Sequence, residues 1–113
     1  SRAFQELIPD QSMIVDGPAT GGAKIRAARS KEGSFAFVYS PRGEAFTIDK
    51  RVFKSNRVKE FWYDPRYGST YYFHTTVNAA FQTYTPPTSG RGNDWILILE
   101  GEVAPMKTQD KNA

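Results

Sequence analysis

Phe35-Ala36-Phe37-Val38-Tyr39, followed at once by Ser40-Pro41-Arg42-Gly43, is the stretch that decides the fold. Phe35, Phe37 and Tyr39 fall on one side of an extended chain and Ala36 and Val38 on the other, the period-two pattern of a strand. The next four residues are turn chemistry: Ser favours the first position, Pro presets φ at the second, and Gly exits. Backward along the chain, Ser30-Lys31-Glu32-Gly33 is another turn, preceded by the alternation of Lys24 to Ala27. Forward, Phe46 and Ile48 mark a third strand, so residues 24–49 are predicted to form a three-stranded meander.

The same grammar continues downstream. Val58 to Tyr63 reads as a strand and Asp64-Pro65-Arg66-Tyr67-Gly68 as its turn, with Tyr71, Phe73 and Thr75 alternating on the return strand. Phe81, Thr83 and Thr85 alternate again until Pro86-Pro87 stops the ladder, because proline donates no backbone hydrogen bond. Trp95-Ile96-Leu97-Ile98-Leu99 is too short for a helix and is predicted as a central strand covered on both faces. The expected fold class is all-β, an antiparallel β-sandwich of about seven to eight short strands. Near the start, Phe4, Leu7 and Ile8 recur at helical spacing until Pro9, and residues 10–23 carry the Gly and Pro of a loop. The chain is therefore divided into a connection from a preceding domain (1–23), the sandwich (24–103) and a tail (104–113).

Composition supports one packed domain. A chain of 113 residues hides roughly 65% of the surface its unfolded form exposes. With 39% apolar and 14% aromatic residues it has the material for a pleated core. The absence of cysteine excludes disulfides, thiolate nucleophiles and cysteine-ligated zinc. No run approaches the ~18 apolar residues of a membrane span. The start at Ser1 rather than Met is read as that of a piece of a longer protein, with any export signal encoded elsewhere. Five bases crowd one segment, Lys50, Arg51, Lys54, Arg57 and Lys59, and are read as a solvated loop and strand edge rather than a patch for an acidic partner. No nucleic-acid partner is predicted, since a dense basic stripe with interleaved stacking aromatics is missing.

No residue set amounts to a catalytic centre. The acids, among them Glu32, Glu44, Asp49, Glu60, Asp64, Asp94, Glu100 and Glu102, are scattered over turns and strand ends rather than paired across a cleft. His74 is the lone histidine, so neither a histidine metal cluster nor a Ser-His-Asp set has its usual partners. Oxygen ligands exist in the Gly90 to Asp94 loop, without the several close carboxylates calcium requires. No cofactor and no metal are predicted.

The aromatics are the better candidates. Trp62, Tyr63, Tyr67, Tyr71 and Tyr72 flank one hairpin turn, where flat rings can stack on sugars or on proline-rich helices. Asp64 and Arg66 beside them are candidates for orienting hydrogen bonds. Alternation also puts Phe61 and Trp62 on opposite faces, so at least one of the two is core; it favours that place for Trp62 and leaves Tyr67, Tyr71 and Tyr72 open between ligand and packing.

Taken in order, Pro9-Asp10-Gln11, Ala28-Arg29, Phe37 through Gly43, Trp62-Tyr63-Asp64-Pro65-Arg66, Thr85-Pro86-Pro87 and Gly92-Asn93-Asp94-Trp95-Ile96-Leu97 resemble a known family. It is the small C-terminal β-sandwich called a putative collagen-binding domain of a collagenase, which follows an apiosidase-like glycoside-hydrolase barrel in polysaccharide-degrading bacteria. The resemblance covers about residues 7–100. It implies a non-catalytic accessory domain whose partner is the neighbouring barrel, with carbohydrate or collagen as the ligand class and a secreted or cell-envelope location. An autonomous binding module and a purely structural stabiliser of the barrel are its alternatives.

Overall fold

The computed structural model describes residues 7–77 and 80–101, with backbone alone over 74–77. Those residues contain β1 (Leu7–Pro9), β2 (Ile14–Asp16), β3 (Arg26–Ser30), β4 (Phe35–Ser40), β5 (Phe46–Asp49), β6 (Arg57–Asp64), β7 (Ser69–Val77), β8 (Phe81–Tyr84) and β9 (Trp95–Gly101). They form two sheets, a six-stranded one in the order β1-β3-β4-β9-β6-β7 and a three-stranded one in the order β2-β5-β8. Every pairing is antiparallel. The expected antiparallel β-sandwich is what the chain forms. No helix among the described residues is long and apolar enough to cross a membrane.

The core lies between the sheets. From the large sheet, Ala36, Val38, Val58, Trp62, Leu97 and Leu99 point inward; from the small one, Phe46, Ile48 and Tyr84 meet them, with Met13, Ile25 and Phe53 closing the ends. On β4 the small residues Ala36 and Val38 therefore face the core, while Phe37 and Tyr39 face out, half-buried.

Four expectations need correction. Residues 24–49 do not form a meander: β3 and β4 pair, but β5 crosses to the other sheet, where it joins β2 and β8. The corner that begins at Ser40 carries the chain over the edge of the sandwich, and the Ser40 hydroxyl donates to the Glu44 carbonyl (2.9 Å) to hold it there. The helical spacing around Leu7 and Ile8 is overridden as well, because residues 7–9 pair with β3 and 14–16 with β5. Lys50 is not on a solvated face; it is fully buried, bound to Glu60, while Arg51, Lys54 and Arg57 remain exposed. Finally, β9 is central, between β4 and β6, but the second sheet covers only its Trp95, Leu97 and Leu99 side. Phe4, the side chain of His74 and the tail from 104 lie outside the described residues.

Candidate functional site

The candidate residues lie on the β6–β7 hairpin and its turn, at one end of the sandwich. Asp64 closes the turn by accepting the Arg66 backbone N–H (2.9 Å) and then takes the Arg66 guanidinium in a two-pronged pair, Nε to Oδ1 and Nη2 to Oδ2, both 3.0 Å. Such fork-on-fork pairing fixes orientation as well as charge. The hydrogen bonds from the Arg66 side chain hold the Asp64 carboxyl below the usual aspartate range. The remaining nitrogen, Nη1, donates to Asn93 Oδ1 (3.0 Å).

That contact joins four stretches of sequence. Asn93 Oδ1 also accepts the Thr88 hydroxyl (2.9 Å), and the Thr88 oxygen in turn accepts the Trp95 indole N–H (2.9 Å). The Gly90 N–H donates to the Arg42 carbonyl (2.8 Å). A β-carbon at Gly43 would stand 2.1 Å from the Thr88 carbonyl oxygen and 2.8 Å from that of Asn93. The Arg66 guanidinium lies over the rings of Tyr67 (5.4 Å) and Trp95 (5.5 Å), within cation–π range. The corners at Ser40–Gly43 and Asp64–Arg66, the Thr88 segment and the Asn93-Asp94-Trp95 run thus form one hydrogen-bonded pole. Tyr39 adds to it, donating to Asp94 Oδ2 (3.1 Å), with its phenol pushed up by burial and then by that carboxylate.

The aromatic candidates do not converge on one surface. Trp62 is core, 6% exposed, edge-on to Phe46 and Trp95 and stacked on Phe73. Tyr63 and Tyr72 face outward from the large sheet, Tyr63 half-buried opposite Ile96 and Tyr72 against Phe61 (5.2 Å). Tyr71 is registered with Trp62 and so lies on the inward side, at the edge, 6.1 Å from Trp95. Tyr67 stands at the turn, 78% exposed. A register shift in the β6–β7 pairing beside Glu60 decides these directions: Phe61 opposes Tyr72 and Glu60 opposes His74, leaving Phe73 as the extra residue.

Among the described residues no group of three or more His, Asp or Glu side chains could hold a metal ion. Asp10, Asp49, Glu60 and Asp64 are each engaged by a base. Sequence reasoning read Trp95–Leu99 as covered on both faces but did not extend that reading to a second feature, the outward face of the large sheet as a whole. Its signal is there in Phe35–Tyr39 and Trp95–Leu99, which are apolar in both phases of the alternation and so leave no polar side for solvent.

A two-sheet antiparallel sandwich closed at one end by a buried aspartate that pairs with a surface arginine is the class of domain these observations define. The chain belongs to the family described as "Putative collagen-binding domain of a collagenase", whose model matches residues 8–100. Among solved structures it is similar to a protein titled "Glycoside hydrolase", with a TM-score of 0.79 and 21% identity, covering 96% of this chain and 23% of that one. It is likewise similar to a glycoside hydrolase family 5 protein from Bacteroides vulgatus ATCC 8482, with a TM-score of 0.78 and 22% identity, covering 88% of this chain and 21% of that one. At such identities the likeness shows the fold, and the chain spans less than a quarter of either structure. No curated protein matches it.

Proposed function

We propose that this domain is a non-catalytic accessory module of a longer, extracellular glycoside-hydrolase-like chain, packed on the catalytic barrel. The observation that carries this reading is the recurrence of the whole fold as 21–23% of the length of glycoside hydrolase chains. The ion pairing of Asp10, Asp49, Glu60 and Asp64 fits it, and a family described by collagen, an extracellular protein, fits use outside the cell. Assay of the isolated chain against a polysaccharide panel tests it, with no turnover expected. Hydrolysis that disappears on replacing one of its carboxylates would overturn it.

A second reading is favoured by the exposure of Tyr67 (78%), Tyr71 (51%) and Tyr72 (55%): direct binding of collagen or polysaccharide. Because these rings open in different directions around the edge strand β7, the ligand would lie round the hairpin rather than across one flat platform. Retention on insoluble collagen or on a polysaccharide, abolished in a folded triple alanine variant, is the outcome that reading requires.

A further inference from the structure

We infer that the outward face of the six-stranded sheet is the surface on which another domain of the same chain sits. The inference rests on the reading above, that this module belongs to a longer chain, and adds which of its surfaces makes the contact.

The two outward faces of the sandwich differ in chemistry. On the small sheet, Thr47 and Thr83 share a hydrogen bond across β5 and β8 (2.7 Å), and Asp49 holds Arg51, whose guanidinium lies over the Phe81 ring (5.0 Å). That face is mixed: its central pairs are polar, and the exposed Phe81 (51%) and Val15 (50%) stand at its margins rather than in a row. The large sheet is the reverse. Registered across its three central strands are two rows, Phe37–Ile98–Phe61 and Tyr39–Ile96–Tyr63, all half-buried. Ala28 extends the first row on one side and Tyr72 on the other. Charge returns only at the margins, with Arg26 beside Tyr39 and the Lys59–Glu100 pair beyond Phe61.

Size selects the occupant. Eight registered positions, five in the first row and three in the second, on strands about 4.8 Å apart with rows about 6.8 Å apart, give a patch of roughly 250–300 Å². Doubled for the partner, that is about 500–600 Å², at the lower edge of interdomain contacts within one chain and far short of the roughly 1,200 Å² at which free partners form stable complexes. A second copy or a diffusing protein is thus poorly served. A tethered neighbour is not, because its linker supplies a local concentration in the millimolar range. The notch over Ala28, bordered by Arg26, Phe37, Tyr39 and Ile96, is a shallow, open depression of about 270 Å³. That is below the ~300 Å³ where small-molecule sites begin, and suits one side chain of a facing domain.

Hydroxyl-radical footprinting read by mass spectrometry tests this, comparing the 113-residue chain with the longer natural chain that encodes it. Oxidation of Phe37, Tyr39, Phe61 and Tyr63 is expected to fall several-fold in the longer chain, while Phe81 and Tyr67 keep their reactivity. Protection of Phe81 or Tyr67 instead would overturn the assignment of the face and leave the packed-module reading intact. Equal oxidation of every ring in both chains, or a natural chain with no other domain, would overturn both. Outward rings already shielded in the 113-residue chain would mean that its own termini cover the face, and would overturn the inference alone.

Discussion

At the scale of single residues, the pole of the sandwich depends on a glycine and a carboxylate. Gly43 has φ of +64° and its missing β-carbon makes room for the carbonyls of Thr88 and Asn93. Gly43→Ala adds overpacking against rigid backbone to the cost of a left-handed conformation, so a loss of at least ~2 kcal/mol is expected in urea unfolding. Gly92 is the control: its φ is +82° but nothing lies within 4 Å of a β-carbon there, and Gly92→Ala should cost only about 1–2 kcal/mol. Asp64 makes a pH prediction. Its folded carboxyl titrates below its unfolded value, so the stabilisation is present above about pH 3.9 and is lost as pH falls through the folded value. Asp64→Asn should therefore melt below the native chain at pH 7, with the gap narrowing under pH 4 in thermal scans. Much of this was legible: the aspartate that bonds its own turn and the proline that fixes it are local chemistry. The Arg66–Asn93 contact was not, since those residues are 27 positions apart and nothing local encodes their meeting.

At the scale of elements, β9 concentrates the argument about which face is core. Leu97 is fully buried and Ile98, its neighbour in sequence, is half-buried on the outward face. Leu97→Ala should cost about 2–5 kcal/mol through lost transfer energy and an unfilled cavity. Ile98→Ala in the isolated chain should cost about 1 kcal/mol, since less of its surface leaves water on folding. Equal losses in urea titrations would mean that both faces are packed. Strands with clear alternation or bounded by Pro-Gly corners could be read from sequence, and β4, β6, β7 and β9 all could. The crossing of β5 could not, because a Ser-Pro-Arg-Gly corner has the same composition whether the chain folds back or passes to the other sheet. Nor could β1 and β2, three residues each, which are shorter than any window in which a period can be counted. The directions of Tyr71 and Tyr72 were hidden for a related reason: they follow from one extra residue in β7, and a bulge leaves no mark in an alternating pattern.

At the scale of the molecule, the two sheets are joined by charge as well as by apolar packing. Lys50, just past the end of β5, sends its Nζ to Glu60 Oε2 on β6 of the opposite sheet (3.1 Å) and to Gln82 Oε1 on β8 (2.7 Å). The Tyr84 hydroxyl donates to the same Glu60 oxygen (2.7 Å), and burial, then that carboxylate, pushes its phenol up so that it stays a donor. The side chains of Lys50 and Glu60 are both fully buried. Sequence could not reveal this, because a lysine in a basic run and a glutamate ten residues on have the composition of a solvated surface. The energetics are asymmetric. Removing both charges from water is costly, and their attraction inside the sandwich returns that cost only while both are present. Lys50→Met leaves Glu60 buried without its cation and should cost about 3–5 kcal/mol, whereas the double replacement Lys50→Met, Glu60→Leu should recover most of that loss. Denaturation midpoints for both single variants and the double one form a mutant cycle whose coupling term reads the pair directly. Strong positive coupling is expected. Additive losses would mean that the sheets are held together by the apolar core and the hydroxyl of Tyr84, with the ion pair contributing nothing of its own.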